Sequence, residues 1–236
     1  MTSRLSRQKL TKVSGRLSQQ TRRRVIIEEA IKLFAEKGFH ASTRELAQRV
    51  GVAQPLLFQH FQTKDALIQA IFDTWFERMS ARDWVGQLGD KKRDLRSRLI
   101  EFFFSYATTI YDYNWIRIYM FAGLEGGSFN RFYISKLTEP LLREIAAQIR
   151  ADFGVAQHTP ADVTSAEIEL LWILHGGLYY SAIRKQIYGM KSNNVELRDL
   201  IAHSVDATLA VMRELLARGG ASKIDPLKVG LMRCSL

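Results

Sequence analysis

The side chains with the most to offer chemically are hydrogen-bonding and cationic groups, and they crowd into residues 42–64, Ser-Thr-Arg-Glu-Leu-Ala-Gln-Arg-Val-Gly-Val-Ala-Gln-Pro-Leu-Leu-Phe-Gln-His-Phe-Gln-Thr-Lys. A glutamine amide can pair with both edge atoms of an adenine, whereas guanidinium, ammonium, imidazole and hydroxyl groups can hold phosphate oxygens. Gln54 and Gln59 supply the amides, and Thr43, Arg44, His60 and Lys64 supply the phosphate-holding groups. Pro55 and Leu56 offer apolar contact to thymine methyls.

Bond-making chemistry finds much less support. The histidines (His40, His60, His158, His175 and His203) never take the close spacing of helical metal ligands, and Cys234 is the lone cysteine, so neither a thiolate metal cluster nor a disulfide framework is written here. Glu167 and Glu169 are two apart and cannot face each other on a helix. There is no nucleophile elbow and no phosphate-cradling glycine loop. The sequence therefore predicts no enzyme, no metal and no cofactor.

Two short helices and a tight turn must position the polar groups. Ser42 followed by Glu45 reads as a capping box opening a helix with Leu46, Ala47 and Val50 on its apolar side. Gly51 ends it, because only glycine adopts a left-handed backbone without steric cost. The second helix buries Leu57 and Phe61, tolerates Pro55 in its first turn, and turns Gln54, Pro55, Leu56, Phe58, Gln59 and His60 outward or to its edges. Such a unit can lay its second helix in a DNA major groove.

From Gly51-Val52 through Phe58-Gln59-His60-Phe61 to Thr63-Lys64, the pattern resembles the DNA-binding signature of the tetracycline-repressor (TetR) family of transcriptional regulators. The resemblance covers about the first third of the chain. It implies a first helix whose basic end, with Arg22, touches phosphate, and a C-terminal domain that binds a small molecule. The chain departs from the family where tyrosine is usual (Phe58), where a small hydroxyl residue is favoured (Ala53) and where threonine is common (Leu56). Each departure removes a polar contact, so contacts to DNA must be redistributed.

Charge agrees with a polyanionic partner. Of the net +10, +8 lies in residues 1–72, which hold 13 Lys/Arg and 5 Asp/Glu. Residues 1–18 read as a basic disordered arm, either laid along phosphates or in the minor groove, or else a solubilising tail or a start codon placed upstream of the true one. The charged N-terminus has no signal-peptide pattern, and the longest apolar-rich run, Leu170 to Ile183, falls short of the ~20 residues of a membrane span. A cytoplasmic location and no membrane partner are expected.

The rest of the chain predicts helices. They run over about 19–37, from Thr63 through the stripe Ile68, Ile71, Phe72, Trp75, Phe76 and Met79, over 93–111, in the segment from Trp115, over 130–153 with a kink or restart near Thr138 before Pro140, and over 161–188 and 195–218. Residues 85–92 read as a loop. Aromatic clustering points to an apolar pocket, or simply core, built from Phe103, Tyr106, Trp115, Tyr119, Trp172, His175 and Tyr179. Arg117 is either its polar anchor or a surface ion pair with Glu125 or Asp112. The last two helices hold more apolar surface than one chain can hide, which predicts a homodimer through Gly176, Gly177, Ser181, Val205, Leu209 and Met212.

The expectation is an all-α protein. A basic arm (1–18), a three-helix helix-turn-helix domain (19–66), a helical ligand-binding and dimerisation domain (67–218) and a disordered tail (219–236) follow in order. Its expected work is regulation of transcription, as a repressor released from a pseudo-palindromic double-stranded operator by a small, mostly apolar molecule. Two alternatives stay open: a helical small-molecule-binding protein with weakened or lost DNA binding, and a peripheral membrane protein using the basic arm.

Overall fold

The computed structural model describes residues 18–80, 82–190 and 195–218; nearly all of the expected basic arm, and the expected tail, lie outside them. The described residues form helices and no strand. In chain order these are α1 (Gln19–Lys37), α2 (Thr43–Val50), α3 (Gln54–His60), α4 (Lys64–Ser80), α5 (Trp84–Gly89), α6 (Leu95–Ile110), α7 (Tyr113–Leu124), α8 (Ser128–Tyr133), a π-helical turn (Ile134–Thr138), α9 (Glu139–Asp152), α10 (Ser165–Gln186) and α11 (Leu197–Ala217).

Helices α1 to α3 form a head. Ser18 opens α1 by accepting from the Thr21 amide at 3.1 Å. Of the capping box expected at Ser42, half forms: the Ser42 hydroxyl accepts from the Glu45 amide at 3.1 Å. The Glu45 carboxylate instead meets Lys37 at 2.7 Å and Arg49 at 3.4 Å, tying α2 to α1. Gly51 takes the left-handed conformation (φ 75°), and the Val52 and Gly51 amides return to the carbonyls of Ala47 and Gln48. This paired closure reverses the chain within three residues. Pro55 sits in the first turn of α3, as Pro must, but Ala53 at the N-cap offers no side-chain acceptor. Ala53→Ser should therefore raise stability by about 0.5–2 kcal/mol, read as a higher urea midpoint at unchanged slope.

The body is a helical bundle whose core is continuous with that of the head. Residues 85–92, expected as a loop, instead carry α5. Asp83 caps it, accepting from the Gly86 amide at 3.0 Å, and a Cβ on Gly86 would lie 2.2 Å from that same carboxylate. Trp84 and Leu88 are buried, with the Trp84 indole edge-on to Phe102 and Tyr106, each 5.8 Å away. Buried Arg98 then donates to the carbonyls of Leu88 and Arg93 and to the Asp152 carboxylate, joining α5, α6 and α9. A glycine-containing hexamer with two charges beside it looks like a loop until its two buried apolar residues find a shelf.

The helix does not stop and start again near Pro140: it runs on from Ser128 to Asp152 through the π-helical turn. In that turn the amide of Glu139 reaches back five residues to the Ile134 carbonyl, and the proline is accommodated just after it. Thr164 and Glu167 form a complete capping box at the start of α10. Among the described residues no helix is long and apolar enough to cross a membrane.

Candidate nucleic-acid interface and ligand site

The head presents an uncompensated basic face. Its glutamates Glu28, Glu29, Glu36 and Glu45 are taken by Arg24, Lys32, Arg49 and Lys37. Among the described residues Arg22, Arg23, Arg44 and Lys64 have no acidic partner, and the structure therefore leaves this positive charge available to a polyanion. Arg23 lies over the Phe61 ring, 4.8 Å from its centroid, and Lys64 lies 5.9 Å from that of Phe34, so α1 and α4 contribute cations at the C-terminal end of α3.

On α3, Pro55 and Gln59 are exposed, Phe58 is 36% exposed, and Gln54, Leu56 and His60 are half-buried. The Gln54 amide already donates to the Thr43 hydroxyl at 3.0 Å, joining the starts of α2 and α3. Of the two expected base readers, Gln59 is thus the one whose amide is free to pair with a base edge. His60 is held below its ordinary pKa by burial and by Arg22 and Arg23, so at neutral pH it offers a phosphate a hydrogen bond and not a charge.

In the body, the structure brings together the aromatic residues expected to line a pocket. Trp115 stacks on Tyr119 at 4.7 Å, both meet the Tyr179 ring (6.5 and 5.8 Å), and His175 lies 5.2 Å from Trp172 and 6.3 Å from Tyr179. Tyr106 and His175 share a 2.8 Å hydrogen bond, and Phe103 and Tyr106 are buried beside them. Tyr133 belongs here too and was not anticipated: it is 1% exposed and packs on Trp115 and Tyr119, with its buried hydroxyl beside that of Tyr106. Only the aromatic run Phe129, Phe132, Tyr133 signalled it. The cavity beside Tyr106, Thr138 and His175 measures about 10 Å³, room for at most one water. In this geometry the cluster is packed core.

Burial lowers the pKa of His175 to about 4, which keeps the ring neutral. The unfolded chain protonates near 6.5 and the folded one does not, so stability is full above pH 6.5 and is lost as pH falls from there toward 4. The loss should approach ~3 kcal/mol, and His175→Phe should flatten that part of the stability profile measured by urea unfolding.

Arg117 is neither a pocket anchor nor a partner of Glu125 or Asp112. Its guanidinium leaves the body and donates to the carbonyls of Ala35 and Glu36, the latter at 3.3 Å, at the end of α1. These are orphan acceptors of a helix C-terminus, which an arginine satisfies well. Two expected dimer residues are also corrected: Val205 and Met212 are 1% and 0% exposed, facing the chain's own core. The outward stripes are Ile173, Gly176, Gly177 and Tyr180 on α10 and Ala207, Ala210 and Val211 on α11, with Ser181 and Leu209 half-buried at their edges. Helical phase, misjudged by about a quarter turn, is the reason.

Residues 26–71 match the family described as bacterial regulatory proteins, tetR family. The chain carries a TetR-family DNA-binding domain. It is 31% identical over 92 residues to the transcriptional activator FasR of Mycolicibacterium smegmatis, covering 38% of this chain and 42% of that one. It is 43% identical over 61 residues to the transcriptional repressor Rv1474c of Mycobacterium tuberculosis, covering 25% and 33%. The chain thus aligns with less than half the length of these TetR-type relatives. Solved structures extend the likeness in fold: a TetR-family regulator of Mesorhizobium loti superimposes with a TM-score of 0.61 at 18% identity, over 83% of this chain and 98% of the other. An Aquifex aeolicus regulator gives 0.52 at 18% identity, over 84% and 98%. Their TetR-like architecture is the one described above, a helix-turn-helix head on a helical body.

Proposed function

We propose that the protein is a ligand-responsive transcriptional regulator in the cytoplasm, acting as a homodimer on a pseudo-palindromic double-stranded operator and released from it by a small, mostly apolar effector. The observation that carries the reading is the head: a glycine-closed two-helix unit with Gln59 outward and flanking cations left without acids. The sign of regulation is proposed as repression; relatives bear names of both kinds, an activator and a repressor. Effector binding in the body fits the buried hydroxyls of Tyr133 and Tyr106 and the Tyr106–His175 pair, groups that a polar ligand end could engage. Because the space there is small, an effector seated there would have to open the cluster, one wall of which is the π-helical turn that carries Thr138.

The reading is tested on DNA. Gln59→Ala should cost ~1–3 kcal/mol at one base position, whereas Lys64→Ala should weaken all sequences alike and reduce the salt slope by about one. Binding measured by fluorescence anisotropy across a set of single-base operator variants separates the two. An even loss for both variants would remove Gln59 from base reading.

A further inference from the structure

A second opening lies elsewhere among the described residues. A groove of about 480 Å³ lies between head and body, walled by α1 (Glu28, Ile31, Lys32), by α4 (Trp75, Arg78, Met79) with Arg82 just beyond it, by the end of α6 (Thr108, Thr109) and by the start of α7 with its cap (Asp112, Asn114, Trp115). That volume suits a small molecule, for which sites run from roughly 300 to 1,000 Å³.

Its charges are mostly committed already. Glu28 faces Arg24 at 3.8 Å, Lys32 holds Glu29 at 2.7 Å, and Asp112 caps α7 by accepting from the Trp115 amide at 2.8 Å. Arg82 donates to the backbone and hydroxyl of Ser105 at 3.1 and 3.0 Å. Arg78 alone among these lining ions has no ion pair or hydrogen bond among the described residues. Ile31, Trp75, Met79 and Trp115 are buried and make the groove's apolar wall. An apolar wall and one uncommitted guanidinium describe one kind of occupant.

We infer that this groove is a binding site for a small apolar monoanion, its charge on Arg78 and its hydrocarbon or aryl part against Trp75 and Met79. Regulation through it rests on the effector-responsive reading above and gives that reading a direct route. An occupant would touch α1 of the head and α6 and α7 of the body together, on the two sides of the connecting helix α4. It would thus act on the angle between head and body without opening the aromatic cluster.

The probes are 1-anilinonaphthalene-8-sulfonate, an apolar aryl monoanion, and its uncharged relative N-phenyl-1-naphthylamine, titrated by fluorescence into the full-length protein. Arg78→Gln should weaken sulfonate binding roughly tenfold and leave the uncharged probe within about twofold, Arg78→Lys should restore most of the loss, and Asn114→Trp at the groove edge should exclude both. Arg78 is exposed, so these variants keep the fold, which a thermal melt verifies. Unchanged sulfonate binding in Arg78→Gln overturns the inference. So does loss of binding in Phe132→Ala, which lies in a separate groove between α4 and α8, or in Tyr106→Phe, while Arg78→Gln binds normally. The Tyr106 outcome would move the ligand to the aromatic cluster and leave the effector-responsive reading standing. Conversely, sulfonate binding that depends on Arg78 but never shifts operator affinity would establish the site and sink the regulatory reading.

Discussion

Glu167→Ala is expected to lower the stability of the fold by about 3–5 kcal/mol, the largest effect of any single truncation considered for this chain. Glu167 is 0% exposed, and both of its carboxylate oxygens lie 2.9 Å from the Arg150 guanidinium, itself 9% exposed. The carboxylate also accepts from the Thr164 amide at 2.7 Å and hydroxyl at 2.6 Å, so it caps α10 as well as pairing across to α9. Arg150 keeps one further contact, to the Gln157 carbonyl at 2.6 Å. Removing Glu167 strands a guanidinium away from water and uncaps α10 in one step. Replacing both partners with apolar residues, as in Arg150→Met with Glu167→Leu, should recover much of the loss, because no charge is then left buried. Urea unfolding of the two variants checks this: equal stability in the single and double variants would show that the pair's burial is not the cause.

The second large effect concerns assembly. Ile173, Tyr180 and Val211 are 71%, 54% and 51% exposed and stand on neighbouring helices with Gly176 and Gly177 between the first two. A Cβ added at either glycine would meet nothing within 4 Å, so the centre of this face is open for another helix to approach. A two-fold pairing of α10 and α11 with their copies would bury these stripes as a four-helix interface. Ile173→Arg should then give monomers in sedimentation velocity. Operator affinity should fall by roughly two to four orders of magnitude, since one head loses the effective concentration that its twin provides. Met212→Arg, by contrast, would place a charge in the chain's own core and should unfold the protein. A dimer that survives Ile173→Arg would locate the interface on another face.

The parts most legible in the sequence were those set by local chemistry. Ser42, Gly51, Pro55 and Thr63 each declare a helix end by what their backbone or side chain can do, and each end lies where they put it. Long amphipathic helices followed from periodicity, and the irregular turn before Pro140 from proline's missing amide. What failed to show needed partners distant in sequence. The Glu45 carboxylate chose Lys37 and Arg49 over the local box, Arg117 chose carbonyls about eighty residues away, and the six residues of α5 became a helix once Arg98 offered its end a donor. Within the candidate sites, residue type correctly grouped the aromatic cluster, but no composition argument can show whether a group of rings encloses space or fills it.

The Arg117 contact bears on whether the reading head can be treated as a module. An autonomous domain satisfies its own helix ends, and this one does not: the last turn of α1 takes its donors from α7, and Gly38, which closes that turn at φ 74°, has the Phe121 ring 3.2 Å from where a Cβ would project. Excised at residue 66, the head would lose both the donor and the ring that shields its first helix. A chimera that grafts this head onto another body should recognise its operator only if the recipient supplies an arginine and an aromatic one turn apart on the helix that meets α1. The specificity of the head is portable in sequence, but its rigidity is shared property.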